Sequence, residues 1–176
     1  MKRRCVFLDR DGVINVAPPP GEYLRRWEDF QLQPNVVDWL RLFNVLDYLV
    51  IVATNQRGIA RGILRAEEVE EIHRRMCEHL AGRGARIDDI FCCPHEEGTC
   101  ECRKPRPGLI LQACLKWEID LANSLLIGDS PADEELARRC NMHFVRVKDG
   151  RIEGVIPAGS PASAEVIEID RRTGDN

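Results

Sequence analysis

The chain has no apolar run approaching the roughly 20 residues that a helix needs to cross a bilayer, which argues against a membrane-spanning protein. It also lacks an excess of positive charge: 25 Lys and Arg face 29 Asp and Glu, for a formal charge of −4. That balance excludes recognition of nucleic acid by a broadly basic surface, so any anionic ligand has to be met by a local cationic pocket. The opening MKRRCVFLDRDG returns to charge after a few apolar residues and lacks the apolar centre of a secretory signal. A cytoplasmic protein without membrane or nucleic-acid partners is therefore expected. No internal repeat or low-complexity block interrupts the 176 residues, and 44% hydrophobic content suffices for one core, so residues 1–176 are read as a single domain. No long exposed apolar stripe is evident, which makes a monomer the default.

Eight cysteines in a reducing compartment do not build a disulfide framework, and their spacing becomes the useful clue. Cys92, Cys93, Cys100 and Cys102 crowd one segment, whereas Cys5, Cys77, Cys114 and Cys140 are scattered and read as ordinary buried thiols.

Short apolar runs at Cys5 to Leu8, Tyr48 to Ala53, Ile90 to Cys92, Ser124 to Gly128 and His143 to Val147 have the length and composition of strands covered on both faces. Helical patterns separate them. In RAEEVEEIHRRMCEHLAGRG the residues Val69, Ile72, Met76 and Leu80 form one stripe, and VVDWLRLFNVL, RPGLILQACLKWEI and PADEELARRC follow the same spacing. The alternation predicts an α/β fold, a Rossmann-like three-layer sandwich around a mostly parallel sheet. The proline-rich NVAPPPGEYLRRWEDF reads as a long ordered loop after the first strand. From Lys148 a weak strand and a frayed tail over about 160–176 are expected.

Ligands of open parallel sheets bind beyond the carboxyl ends of the strands. In VFLDRDGVIN, Asp9 and Asp11 stand beyond the first strand, and two nearby ionised acids favour a bound cation, for which an oxygen-rich site suits Mg²⁺. After the second strand TNQRGIARG offers Thr54 and Asn55 to a phosphoryl oxygen. After the fourth, DSPADEE adds Asp129. Lys104, in CRKPRPG ahead of a helix, supplies a cation that can neutralise phosphate charge. Each of these alone could be a turn, a cap or a solvated side chain. Together they converge on one edge of the sheet.

In the order DRDGVIN, TNQ, the lysine of CRKP and IGDSPAD, the chain resembles the haloacid dehalogenase (HAD) superfamily of phosphotransferases, up to about Val147. The resemblance implies that Asp9 attacks phosphorus to form an aspartyl phosphate, that Asp11 acts as general acid and base, and that Thr54 and Lys104 stabilise the phosphoryl group. It implies a Mg²⁺ site from Asp9, Asp129 and the backbone carbonyl of Arg10; with Asp11 these make the candidate magnesium set. No inserted cap domain is visible, because neither the first nor the second motif is followed by a long enough gap.

In CCPHEEGTCECRKP, Cys93 and His95 are one residue apart, as are Cys100 and Cys102, giving two claws that can close on a tetrahedral ion. Three thiolates and an imidazole suit a structural Zn²⁺ in a loop over residues 92–104, with Cys92 left to the preceding strand. This loop and NQRGIARG look like the group of D-glycero-D-manno-heptose-1,7-bisphosphate 7-phosphatases and their relatives, the histidinol-phosphate phosphatases. The resemblance implies a small phosphorylated sugar as substrate, its distal phosphate met by Arg103. Asn55, Gln56, Arg57, Tyr23 and Ser130 complete the expected substrate contacts, with Arg57 standing where the heptose enzymes commonly have serine and Ser130 where they often have lysine. Histidinol phosphate is the alternative substrate, and a non-catalytic module that binds partners through its zinc loop is the alternative of another class.

Overall fold

The computed structural model describes residues 2–153, together with the short strands Ile156–Pro157 and Val166–Ile167. Its main sheet has six strands in the order β3-β2-β1-β4-β5-β6. These are β1 (Cys5–Leu8), β2 (Leu49–Asn55), β3 (Asp89–Cys93), β4 (Leu125–Gly128), β5 (His143–Lys148) and β6 (Arg151–Glu153). The first five run parallel and β6 returns antiparallel to β5. Ile156–Pro157 (β7) and Val166–Ile167 (β8) pair antiparallel; the rest of the expected C-terminal tail lies outside the described residues.

Four helices cover the sheet: α1 (Val36–Val45), α2 (Ala66–Ala81), α3 (Gly108–Lys116) and α4 (Pro131–Arg139). The alternating side chains of β1 separate the two layers. Val6 and Leu8 join Trp39, Leu40 and Phe43 of α1 and Met76 and Leu80 of α2 in one core. Cys5 and Phe7 join Leu109, Ile110 and Ala113 of α3 and Leu136 and Ala137 of α4 in the other. All four residues of β1 are buried, which explains why its sequence is apolar without alternation. The three-layer α/β architecture expected from the sequence is present, with two cores, one on each face of the sheet, where a single core was expected.

Element ends shift in ways that matter for the site. β2 extends through Thr54 and Asn55, which were expected just beyond it, because both still pair with Cys92 and Cys93 of β3. β3 likewise reaches Cys93, so the first thiol of the second motif cluster is held by sheet hydrogen bonding. The long connection after β1 contains only the short 3-10 turn Trp27–Asp29 and no inserted domain.

Candidate active site

The chain builds β1, β2 and β3 outward on one side, then crosses to place β4 on the other side of β1. The carboxyl ends of β1 and β4 therefore flank the point where strand order reverses, the usual crevice of an open α/β sheet. Asp9 follows β1 and Asp129 follows β4. Gly12 lets the first loop close onto the second: its φ is +87°, and a Cβ there would stand 1.9 Å from Asp129 Oδ2.

Lys104, on the loop after β3, enters this crevice from the side. Its Nζ lies 2.8 Å from Asp9 Oδ2 and 2.7 Å from Asp133 Oδ1. Both Lys104 and Asp133 are buried. Burial would depress the ammonium, but Asp9 and Asp133 hold its pKa above the ordinary lysine value. The acids remain under-compensated. Burial pushes Asp9 up to about 7 against the pull of Lys104, with Asp133 and Asp11 adding to the rise. Asp129 is raised by burial and by Asp133. One lysine thus faces three carboxylates that each bring an oxygen within 4.8 Å of the others. The donor chemistry fits a hard divalent cation. Asp133 has both oxygens engaged, one by Lys104 and the other by the hydroxyl and backbone N–H of Ser130. Asp9 gives Oδ2 to Lys104 and accepts the Arg10 backbone N–H on Oδ1 at 2.7 Å, so of the three acids Asp129 is the one not clamped in this way.

Two members of the expected magnesium set have other partners. The Arg10 carbonyl closes the loop's own turn, accepting the N–H of Ile14 at 2.8 Å and of Asn15 at 3.1 Å. The Asp11 carboxylate turns to the Arg10 guanidinium, whose Nη2 is 2.9 Å from Oδ1 and 2.8 Å from Oδ2. Asn15 Nδ2 donates to Oδ1 at 2.9 Å and Gln56 Nε2 to Oδ2 at 3.0 Å. Burial alone would raise Asp11, but Arg10, Asn15 and Gln56 hold it below the usual carboxylate value.

Behind Arg10, His73 of α2 places Nε2 3.2 Å from Nη1. Burial and the adjacent guanidinium lower His73 to about 3, so the imidazole is neutral. Arg10, Asn15, His73 and Asp133 were not singled out from the sequence for these contacts. For His73 a signal exists: it is a polar residue on the buried stripe of α2, four residues after Val69 and three before Met76.

The remaining expected contacts divide into fixed and open groups. Thr54 is buried at the end of β2 and its Oγ1 accepts from Gln56 Nε2 at 3.0 Å. Asn55 brackets the Lys104 backbone, accepting its N–H at 3.1 Å and donating to its carbonyl at 3.3 Å. Arg57 pairs with Glu96 at 3.3 Å, and Arg61 meets the same carboxylate at 2.7 Å, tying the loop after β2 to the loop after β3. Tyr23 lies against Gly58, where a Cβ would come within 2.8 Å of its ring. Ser130 caps α4 in a reciprocal pair with Asp133, which commits its hydroxyl. Arg103 Nη1 is buried without a hydrogen-bond partner.

Cys93, His95, Cys100 and Cys102 form a second donor group with all four ligand atoms within 4.8 Å of one another. The Sγ atoms are 3.1 Å apart for Cys93 and Cys102, 3.4 Å for Cys100 and Cys102, and 3.6 Å for Cys93 and Cys100. His95 Nδ1 is 3.2 Å from Cys102 Sγ and 3.7 Å from Cys93 Sγ. A tetrahedron with metal–sulfur bonds of about 2.3 Å has sulfur–sulfur edges of roughly 3.8 Å, so the group is a slightly contracted tetrahedral set. Cys92, one residue earlier, lies outside it; burial pushes its thiol up to about 12.

A HAD-hydrolase-like family model matches residues 101–163. The chain is 41% identical over 160 residues to a D-glycero-beta-D-manno-heptose-1,7-bisphosphate 7-phosphatase of Rhodopseudomonas palustris, covering 86% of this chain and 87% of the relative. It is 41% identical over 155 residues to the D-glycero-alpha-D-manno-heptose-1,7-bisphosphate 7-phosphatase of Campylobacter jejuni, covering 88% of each. Among solved structures, a D,D-heptose 1,7-bisphosphate phosphatase from B. bronchiseptica complexed with magnesium and phosphate superposes with a TM-score of 0.74 at 32% identity, over 80% of this chain and 78% of that one.

Proposed function

The chain belongs to the heptose-1,7-bisphosphate 7-phosphatase family of HAD-type phosphatases, and from that premise we propose that it removes the 7-phosphate of D-glycero-D-manno-heptose 1,7-bisphosphate, leaving heptose 1-phosphate. The observation that carries this is the meeting of Asp9, Asp129 and Lys104 in one crevice, where a phosphoryl group can be attacked and its charge offset.

In the first step an Asp9 carboxylate oxygen bonds to phosphorus and the bond from phosphorus to the sugar oxygen breaks; Asp11, which Arg10, Asn15 and Gln56 keep ionised in the free protein, has to take up a proton as substrate binds and then delivers it to that oxygen. In the second, water attacks the same phosphorus, Asp11 takes its proton, and Asp9 is released with inorganic phosphate. Lys104 and Thr54 hold the phosphoryl oxygens, while Gln56 and Arg10 align Asp11. Magnesium would be held by Asp9 and Asp129, where it supplies Lewis-acid stabilisation of the phosphoryl charge. Supporting this assignment are the closeness of the two carboxylates at the ends of β1 and β4 and their raised pKa values.

Zinc would be held by Cys93, His95, Cys100 and Cys102, closed by four protein ligands and therefore structural. Its loop carries Arg103 and Lys104, so ordering the loop sets the catalytic lysine. The unpartnered Arg103 Nη1 supports a role in meeting the second substrate phosphate. Tyr23 and Arg57, on the loops after β1 and β2, are assigned to the substrate's sugar end. The single domain acts as a monomer, and a cytoplasmic location suits four reduced donors.

Phosphate release should be measured on heptose 1,7-bisphosphate, heptose 7-phosphate and histidinol phosphate with and without Mg²⁺. Magnesium-dependent release fastest from the bisphosphate is expected. Faster release from histidinol phosphate overturns the substrate, and no release from any of the three overturns the reaction.

A further inference from the structure

Arg10 sits between the two proposed catalytic aspartates in sequence, yet its side chain is 1% exposed and reaches His73 on α2. A guanidinium there has five donors and no acceptor. It spends Nε and Nη2 on Asp11, at 3.2 Å and 2.8–2.9 Å. Its Nη1 is directed at His73 Nε2, 3.2 Å away. Because arginine can only donate, that nitrogen of His73 accepts, which places the imidazole proton on Nδ1.

Without His73 the guanidinium would be fixed on one side only, and a planar fork free to swing on its side-chain torsions holds its carboxylate less well than one pinned at both ends. Asp11 has to reach the leaving oxygen and then water, so its placement to within a few tenths of an ångström bears on both proton transfers. We propose that His73 is a positioning residue for proton transfer: its Nε2 accepts from Arg10 Nη1 and so fixes the guanidinium against which the Asp11 carboxylate is aligned. This rests on the phosphatase reading above.

The test exploits the leaving group. A sugar phosphate expels an alkoxide that needs the proton of Asp11, whereas p-nitrophenyl phosphate expels a phenolate that leaves without one. The ratio kcat/KM reports each substrate up to the departure of that group. In His73→Gln the carboxamide reaches the place of Nε2; in His73→Asn it ends at the level of Nδ1 and falls short of Arg10. We expect His73→Asn to lower kcat/KM on the heptose bisphosphate by about 10-fold or more, a fraction of the full contribution of a general acid. On the aryl phosphate the same variant should lose less than about 3-fold, and His73→Gln should stay within about 3-fold on both.

Equal losses on the two substrates, or a His73→Asn enzyme indistinguishable from wild type, overturn the inference. If His73→Asn does not fold, His73→Gln decides: retention on both substrates supports the inference and an equal loss on both overturns it. A wild-type protein that hydrolyses neither substrate overturns the phosphatase reading itself, which keeps the two failures apart.

Discussion

The carboxylate crevice at the ends of β1 and β4 and the cysteine loop after β3 each gather donors that suit a cation, yet they are held together differently. In the crevice, Lys104 already sits between Asp9 and Asp133, and Ser130 takes the other oxygen of Asp133. The sheet and one buried ammonium hold the acids in place, with a surplus of negative charge left for magnesium. In the loop, three sulfurs and an imidazole nitrogen face one another at 3.1–3.7 Å with no cation of the protein among them. The Cys100 thiol is lowered to about 7, against the effect of burial, by backbone N–H groups and its neighbours, while Cys102 is pushed up by burial and by Cys93 and Cys100. Four such donors facing one another suit a bound cation. Magnesium removal should therefore stop catalysis and leave the fold, whereas zinc removal should loosen the loop that carries Lys104.

The contrast is sharpest at Asp9, the proposed nucleophile. Asp9→Asn should lower kcat on the order of 10³-fold or more with an unchanged circular dichroism spectrum; retained phosphate release would remove Asp9 from its role. Next comes the residue shared by the two regions. Lys104→Met should cost about 10²-fold in kcat and, by stranding buried Asp133, about 3–5 kcal/mol of stability, read by urea denaturation. A variant as stable as wild type would show that the ion pairs do not organise the crevice.

Zinc extraction or Cys100→Ser should lower activity about 10–100-fold together with Tm, and readdition of Zn²⁺ but not Mg²⁺ should restore the extracted wild type. Full activity in zinc-free protein would separate the loop from the crevice. Gly12→Ala should lower activity about 10-fold, because its Cβ would displace Asp129 Oδ2 and its backbone is left-handed. Assays across magnesium concentrations would show this as a higher metal requirement.

The smallest effect concerns pH. The folded pKa of Asp9 lies at about 7, above its unfolded value near 3.8, so its contribution to stability is complete below 3.8 and is lost as pH rises through about 7. Buried His73 works in the opposite sense, since its folded pKa of about 3 costs stability as pH falls below 6.5. A difference measurement isolates Asp9. Without divalent cations, the Tm of Asp9→Asn minus that of wild type should increase from pH 5 to pH 8. A flat difference would mean that Lys104 compensates Asp9 fully.

What was legible in the sequence was the part written in spacing. Buried strands such as Cys5–Leu8 announce themselves by apolar residues on both faces, and Cys93, His95, Cys100 and Cys102 by their two short claws. Asp9 and Asp129 were visible because they fall at strand ends, and Lys104 because it stands just ahead of a helix. The contacts that the sequence left obscure are those that depend on rotamers and turns. Nothing in DRDG says that the Arg10 carbonyl turns inward to Ile14 and Asn15, or that its side chain folds back on Asp11. Ser130 was expected at the substrate from the resemblance alone, where the heptose enzymes often have lysine, and nothing in the sequence showed that its hydroxyl caps α4. His73 was hidden by lying on an otherwise apolar stripe from a helix that carries no motif.

The most direct measurement is to trap the covalent enzyme. Asp11→Asn protein, slowed in the water step, should be mixed with an aryl phosphate and Mg²⁺, quenched in acid, reduced with borohydride and sequenced by mass spectrometry. Conversion of Asp9 alone to homoserine is the expected result. Reduction at another carboxylate, or no modified residue while the aryl phosphate is being consumed, would contradict the assignment of Asp9 as the group that takes the phosphoryl.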